Sequence, residues 1–81
     1  MKIVWDEVKR SKTLRDRGMD FRAVTEEWLH SAVIIEAKMG RLQAIGLLDG
    51  KSVSVIFRPL GAEAVSIISM RSATRKERRV L

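Results

Sequence analysis

Arginine is the residue type through which this sequence could most readily do chemistry. Four arginines fall where a predicted helix or strand begins or ends: Arg17, Arg41, Arg58 and Arg71. A guanidinium group matches a phosphate with two parallel hydrogen bonds, and it can hold the extra charge of a pentavalent phosphoryl transition state. Arginines that converged at one end of a sheet would build a site for phosphodiester chemistry. The alternative is that each is a separate surface charge, and the sequence leaves both open.

Side chains suited to proton transfer are few. The sequence has one histidine, His30, and neither tyrosine nor cysteine, which argues against a Ser-His-Asp triad and excludes paired catalytic histidines and thiolate metal sites. Glu63 is the best-placed carboxylate for a general base because it begins a predicted strand beside basic residues. A solvated turn acid is the alternative for Glu63, and His30 is expected to interact with a helix dipole.

The acidic residues near the start of the chain do not predict a metal site. Asp6, Glu7, Asp16 and Asp20 alternate with lysine and arginine along predicted helix surfaces. This alternation is the usual pattern of a salt-bridged, solvated face. We therefore expect neither a metal ion nor another cofactor.

Positive charge is concentrated near the carboxyl end. The net charge is +6, and residues 69–81 hold five Lys or Arg against one acid. Such a field attracts nucleic acids, anionic membranes and acidic proteins alike. Within this segment Thr74 and Glu77 match the T-x-x-E capping box, which predicts a short terminal helix. Arg75 and Arg78 on that helix are expected to attract a substrate by general electrostatics.

The elements that position these residues begin with a predicted strand, "MKIVW". Asp6 is a predicted N-cap for a helix that runs to Arg17, and Gly18 supplies the left-handed residue that ends it. A second helix is predicted to begin at its N-cap, Asp20. Its apolar face is formed by Phe21, Val24, Trp28 and Leu29.

After His30 the pattern becomes extended, in the segments "AVII", "LQAIGLL", "SVSVIF" and "VSIIS". Asp49 and Gly50 predict a type I′ hairpin, and Pro59 with Gly61 predicts the next reversal. The sequence therefore predicts an α+β fold: a short N-terminal strand at a sheet edge, two helices, a four-stranded antiparallel meander and a short C-terminal helix. With 81 residues we expect a single domain, residues 1–81.

The sequence shows no export signal and no apolar run long enough to span a bilayer. The absence of cysteine fits a reducing compartment. We therefore expect a cytoplasmic protein.

Several segments together resemble one protein family. "KIVWDEVKR", "RGMDF", "AIGLLDGKSVSVIF" and "SIISMRSATRKER" are similar, in this order and over nearly the whole chain, to the BrnT toxins of bacterial type II toxin-antitoxin systems. The combination of W-D-x-x-K near the start with I-S-x-R-x-A-T-x-x-E near the end is specific. The family's recurrent positions correspond to Trp5, Asp6, Lys9, Gly18, Phe21, Ser69, Arg71, Ala73 and Glu77.

The resemblance implies a RelE-like fold and a ribonuclease that cuts cellular RNA and stops translation. It also implies a BrnA-like antitoxin with a ribbon-helix-helix domain, through which alone the pair would bind operator DNA. Four positions depart from the family: Thr13, Asp16 and Arg17 stand where Asn, Lys and His are usual, and Ser66 replaces a common arginine. Because arginine cannot exchange a proton near neutral pH, a weakened or inactive homologue with a regulatory role is the alternative.

For the enzyme, we expect metal-independent cleavage in which the RNA 2′-hydroxyl attacks the adjacent phosphate. The expected catalytic residues are Arg71, Arg41, Arg58 and Arg17, with Glu63 as a candidate base. Lys9 is expected to position the RNA strand. A basic protein that binds anions without specificity is a third possibility.

Overall fold

A five-stranded sheet with helices on both of its faces is the framework of the protein, and the computed structural model describes all 81 residues. The elements are β1 (Lys2–Trp5), α1 (Glu7–Arg17), a 3₁₀ helix (Phe21–Ala23), α2 (Glu26–Ser31), β2 (Val33–Glu36), β3 (Leu42–Leu48), β4 (Lys51–Leu60), β5 (Ala64–Ser72) and α3 (Arg75–Arg78). The predicted α+β class is confirmed.

The strand order in the sheet is β1-β5-β4-β3-β2. Strands β2 to β5 pair antiparallel with their sequence neighbours. The opening strand joins the free edge of β5 in parallel, with Ile3 opposite Val65 and Trp5 opposite Ile67. The first and last strands are therefore adjacent, and α1 leaves β1 alongside the carboxyl half of β5.

The main core lies between the sheet and the first helices. Because side chains alternate along a strand, the register places Ala44, Val55 and Met70 side by side on one face, which we call the core face. The core cluster there consists of Phe21, Val24, Trp28, Leu29, Ala44, Val53, Val55, Phe57, Val65, Ile67 and Met70. We call the opposite face, which carries Gln43, Ser54 and Arg71, the second face.

The second predicted helix is divided in two. Asp20 caps only the 3₁₀ turn, its side chain accepting from the Arg22 N–H, and Val24 and Thr25 then take extended dihedral angles. The Thr25 hydroxyl accepts from the Trp28 N–H at 3.1 Å, so α2 begins there. The prediction of one helix starting at Asp20 is wrong because two β-branched residues and a second cap interrupt it.

Close packing of Trp28 on β3 fixes α2 against the sheet. The indole Nε1 donates to the Leu47 carbonyl at 2.8 Å. A Cβ atom on Gly46 would lie 3.0 Å from the ring atom Cζ2 of Trp28 and 3.3 Å from the Cβ of Ala32. Glycine at position 46 therefore makes room for the ring.

Polar contacts of its arginines, more than apolar packing, join helix α1 to the rest of the protein. Its predicted caps, Asp6 and Gly18, are confirmed. The apolar residues of the helix, Val8 and Leu14, are exposed, whereas Arg10 is buried. The Arg10 guanidinium pairs with the Glu7 and Asp20 carboxylates at 2.6 and 3.1 Å, and Lys12 pairs with Asp16. Glu7, Asp16 and Asp20 therefore take part in ion pairs, as the charge pattern predicted, whereas Asp6 acts only as the cap of α1.

Strands β4 and β5 both extend beyond the segments predicted from the sequence. The β3–β4 hairpin is confirmed, with positive φ at Asp49 and Gly50. Strand β4 continues through Pro59, which was predicted to lie in a turn. Because β3 begins only at Leu42, opposite Phe57, no strand on that side needs an N–H from Pro59.

No helix is long and apolar enough to cross a membrane.

Candidate active site

The strand register separates the candidate site residues into two groups. Arg41 directly precedes β3, Arg58 lies opposite Ser66, and Glu63 is in the turn before β5. Arg71 lies at the other end of β5, opposite Ser54. Ser54 and Arg58 are four positions apart on β4, which is about 13 Å along the strand. The structure therefore does not gather these residues in a single site.

Arg71 belongs to β5 rather than following it. The predicted strand "VSIIS" ends at Ser69, but pairing continues until Ser72 lies opposite Val53. Phe57 pairs with Ile67 whereas Ile56 pairs with Ser69, so Ile68 is an extra residue in β5. This bulge shifts the alternation, because an unbroken register would place Arg71 opposite Val53, on the core face. The bulge thus turns Arg71 onto the second face.

Glu77 of α3 holds the Arg71 guanidinium from both ends of its carboxylate. Arg71 Nη1 donates to Oε1 at 2.8 Å and Nη2 donates to Oε2 at 2.9 Å. Arg71 Nη1 also donates to the Ser72 carbonyl at 3.1 Å. Two of the five N–H groups of the guanidinium remain, one on Nε and one on Nη2. These two lie along one edge and match the spacing of two phosphate oxygens.

The Glu77 carboxylate has further partners. It accepts from the Thr74 N–H at 2.8 Å and from Gln43 Nε2 at 2.6 Å. The Arg71 hydrogen bonds, helped by those from Thr74 and Gln43, lower the pKa of Glu77 from 4.5 to about 2, although its partial burial opposes the shift. Glu77 therefore stays ionised at neutral pH, so it is suited to orienting Arg71 and not to giving up a proton.

A buried polar contact connects this cluster to the middle of the sheet. Gln43 Nε2 also donates to Ser54 Oγ at 2.8 Å, and Ser54 is almost fully buried. Ile45, two residues beyond Gln43, is fully buried on the same face and lies outside the main core cluster. Helix α3 thus lies over the second face, held there by Glu77.

Sequence reasoning assigned Glu77 to helix capping alone. The capping box with Thr74 is confirmed. The ion pair with Arg71 was missed because Gln43 and Arg71 approach Glu77 only through the sheet register. A usable signal was Gln43 itself, since it is the only polar side chain in the segment "LQAIGLL".

Arg17 meets the sheet beside Arg71. Its Nη1 donates to the Met70 carbonyl at 2.8 Å. Strand β1 ends at Trp5, opposite Ile67, so β5 has no strand partner on this side beyond that point. Arg17 therefore satisfies a carbonyl that the short β1 leaves unpaired. The structure brings Arg17 and Arg71 to the same end of the sheet.

Other predicted binding residues surround this end. An open cavity of about 180 Å³ between α1 and β5 is lined in part by Lys9, Arg17 and Ser69. Arg75 and Arg78 are exposed on α3. No three His, Cys, Asp or Glu side chains are grouped so that they could hold a metal ion. The arrangement offers several cations and one carboxylate of low pKa.

Comparison with known proteins identifies the family to which this arrangement belongs. Residues 5–77 match the model of the ribonuclease toxin BrnT of type II toxin-antitoxin systems. The chain belongs to the BrnT toxin family. The crystal structure of the Brucella abortus ribonuclease toxin BrnT is 46% identical in sequence and superposes with a TM-score of 0.84, covering 93% of this chain and 99% of that one. A search of curated proteins finds no match.

Four of the positions on which the resemblance to BrnT was based have distinct places in this structure. Phe21 is fully buried and Gly18 adopts the left-handed conformation that ends α1, so these two support the fold. Arg71 and Glu77 form the ion pair over the second face. The polar cluster of Arg71, Glu77, Gln43 and Ser54 is therefore the candidate active site.

Proposed function

We propose that this protein is the endoribonuclease toxin of a type II toxin-antitoxin pair, which cleaves cellular RNA and thereby inhibits translation. The observation that supports the proposal best is that one edge of the Arg71 guanidinium has no hydrogen-bonding partner. Glu77 occupies one side of its guanidinium, and the Nε and Nη2 hydrogens on the adjacent edge have no partner. Membership of a ribonuclease toxin family makes an RNA phosphate the expected ligand of that edge.

The proposed reaction is attack of the RNA 2′-hydroxyl on the neighbouring phosphorus. The 2′-O–P bond forms as the P–O5′ bond breaks, while water takes the proton of the 2′-hydroxyl and gives one to the departing O5′, which leaves a 2′,3′-cyclic phosphate and a 5′-hydroxyl. Arg71 would stabilise the two negative oxygens of the pentavalent transition state, and Glu77 would keep the guanidinium oriented before substrate arrives. This chemistry needs positive charge at the phosphate, which arginine can supply in the place of a metal ion.

Proton transfer is not assigned to a carboxylate of this chain. Glu63 was the candidate base, but it lies eight positions before Arg71, at the other end of β5, which is about 26 Å in an extended strand. The pKa of Glu77, about 2, makes that carboxylate a weak base. Arg17 is permanently charged. The chain would therefore contribute orientation and charge stabilisation, with Lys9 and Arg17 holding the RNA strand.

The test is cleavage of single-stranded RNA in EDTA by the wild type, Arg71→Gln and a matched control, Arg15→Gln, whose residue lies exposed on α1. We expect the wild type and the control to produce 2′,3′-cyclic or 3′-phosphate ends, and Arg71→Gln to lose about a hundredfold or more in rate. A strict requirement for magnesium, or full activity of Arg71→Gln, would contradict the proposal.

We infer that the fold is RelE-like and that a BrnA-like antitoxin with a ribbon-helix-helix domain neutralises the toxin. Family membership in a toxin-antitoxin system supports a protein partner. The net charge of +6 favours association with an acidic surface. Operator DNA would be bound only through the antitoxin. Co-expression with the neighbouring reading frame, followed by purification through a tag on one chain, tests whether a stable complex forms.

A second candidate function is a weakened toxin that serves mainly as a regulatory subunit. It is favoured by Arg17, which stands where BrnT-like sequences usually carry histidine and which donates to the Met70 carbonyl. Induced expression in a bacterial host separates the two functions. Growth arrest by the wild type but not by Arg71→Gln supports the enzyme, whereas normal growth with both supports the regulatory subunit.

A further inference from the structure

Arg41 and Arg58 form a pair of uncompensated charges at the end of the sheet far from Arg71. Leu42 and Phe57 are the last pair of β3 with β4 at this end, and Arg41 and Arg58 are the next residue on each side. Because paired residues of antiparallel strands have Cα atoms about 5 Å apart, the two arginines are close neighbours. The ion pairs of the protein involve neither arginine. Two like charges at this spacing repel each other unless an anion lies between them.

One atom at this location lacks a hydrogen-bonding partner. Arg41 Nε is buried and makes no hydrogen bond, and no other buried side-chain nitrogen or oxygen is in this condition. Buried donors are almost always paired, so this one leaves the Arg41 guanidinium with unused hydrogen-bonding capacity. Arg41 also borders an open cavity of about 330 Å³ beside Pro59, large enough for an anion to approach.

The acids nearby do not neutralise the pair. Glu36 borders the same cavity, and Glu63 lies in the exposed turn before β5, but neither is within ion-pairing distance of an arginine. The exposed Lys2 adds a further positive charge to this end of the sheet, since it lies opposite Ala64 at the start of β5. The end of the sheet therefore keeps a net positive field.

We propose that Arg41 and Arg58 form a phosphate-binding subsite, separate from Arg71, that holds the backbone of the same RNA strand. The inference rests on the ribonuclease function proposed above. Alternation along β4 puts Arg58 on the face that carries Ser54, and Arg71 lies opposite Ser54 on that face. The half-buried Ile56 and Ser69, which carry no charge, lie between the two ends.

The separation of the two sites sets a length requirement for the substrate. About 13 Å of strand lies between the positions of Ser54 and Arg58. One phosphate group cannot bridge this distance, which corresponds to about four nucleotides at a stacked rise of about 3.4 Å. RNA shorter than this can reach Arg71 but not the subsite, whereas longer RNA engages both.

The first experiment tests the subsite without any reaction. Inorganic phosphate is titrated into the wild type while the Nε–H resonances of the arginines are followed by NMR. We expect the Arg41 resonance to move, because phosphate binding to the guanidinium changes the surroundings of its Nε–H, while that of the exposed control Arg15 stays nearly fixed. An unmoved Arg41 resonance would overturn the proposal, whatever the enzyme activity.

The second experiment connects the subsite to RNA. Binding of 2′-O-methyl RNA of about two and about twelve nucleotides, which cannot be cleaved, is compared for the wild type, R41Q/R58Q and the control R15Q/R22Q, which loses the same charge. We expect R41Q/R58Q to lose about tenfold in affinity for the longer RNA, with a salt slope smaller by about 0.7 for each lost phosphate contact. We expect the shorter RNA to show no such difference.

The outcomes distinguish this inference from the proposed function. If R41Q/R58Q loses no more affinity for the longer RNA than R15Q/R22Q, the RNA subsite is wrong even when the wild type is an active ribonuclease. If the wild type cleaves no RNA, the ribonuclease function fails, but movement of the Arg41 resonance with phosphate and a length-dependent loss of binding in R41Q/R58Q still support the subsite.

Discussion

Replacing Glu77 with glutamine removes the negative charge held between Arg71 and Gln43 and leaves the shape of the side chain almost unchanged. The pKa of Glu77 falls from 4.5 to about 2 in the folded protein. Because the folded pKa is depressed, the charge stabilises the fold above pH 4.5, and this contribution is lost as the pH falls from 4.5 towards 2. Glu77→Gln lacks the contribution at every pH.

The size of the effect follows from the pKa difference. A shift of this size, at about 1.4 kcal/mol per unit, corresponds to an upper limit of about 3–4 kcal/mol in the free energy of unfolding. The Arg71 side chain is 40% exposed, so solvent screening reduces the expected contribution at pH 7 to about 1–2 kcal/mol.

Urea unfolding between pH 7 and pH 3 measures this contribution. We expect the wild type to exceed Glu77→Gln in free energy of unfolding by about 1–2 kcal/mol at pH 7, with the difference shrinking as the pH falls. The other acids with lowered pKa, such as Asp20, are common to both proteins, so their effects cancel. Glu27→Gln, which replaces an exposed acid on α2, is the matched control and should differ from the wild type by much less than Glu77→Gln does.

A difference between the wild type and Glu77→Gln that stays constant from pH 7 to pH 3 would refute the electrostatic account. It would mean that the substitution acts through packing of α3 instead of through the charge on Glu77. A stability of Glu77→Gln equal to that of the wild type at pH 7 would show that Arg71 is not held by this carboxylate in solution.

Three further substitutions test separate parts of the structure. Gly46→Ala should lower the free energy of unfolding by about 1–3 kcal/mol, because the new methyl group would overlap the Trp28 ring; a neutral result in urea unfolding would contradict the packing described. Thr25→Ala should cost about 1 kcal/mol through loss of the α2 N-cap, and an unchanged urea midpoint would argue against that cap. Arg17→His should introduce a titration near pH 6.5 into the cleavage rate; a pH profile identical to that of the wild type would show that position 17 takes no part in proton transfer.

Features determined by adjacent residues were predictable from the sequence. The Asp6 cap, the glycine that ends α1 and the Asp49–Gly50 hairpin each depend on the conformational preference of one or two residues, and all are confirmed. The division of the second helix was missed although Thr25 carries its own capping signal. The apolar spacing of Phe21 to Leu29 fits one continuous helix equally well, and periodicity does not register a break between buried residues.

The candidate site depends on the register between distant strands, which local signals do not determine. Gln43 and Glu77 are 34 positions apart, and they meet only because β3, β4 and β5 align in one particular way. The bulge at Ile68 decides which face Arg71 occupies, and nothing in the segment "VSIISMRS" marks that residue as extra. The sequence thus predicted that Arg71 lies near the end of a strand, but not which face of the sheet it occupies.

The polar residues under α3 are better explained by the site than by stability. Gln43 and Ser54 occupy central strand positions where apolar side chains would bury more surface and need no partners. Each instead takes part in a series of hydrogen bonds that ends at Glu77. The polar groups of the cluster are therefore paired, but they stabilise the fold no better than apolar side chains would. Local departures from the rules of packing are expected where function imposes them. Here the polar pair of Gln43 and Ser54 fixes the Glu77 carboxylate and, through it, the free edge of Arg71.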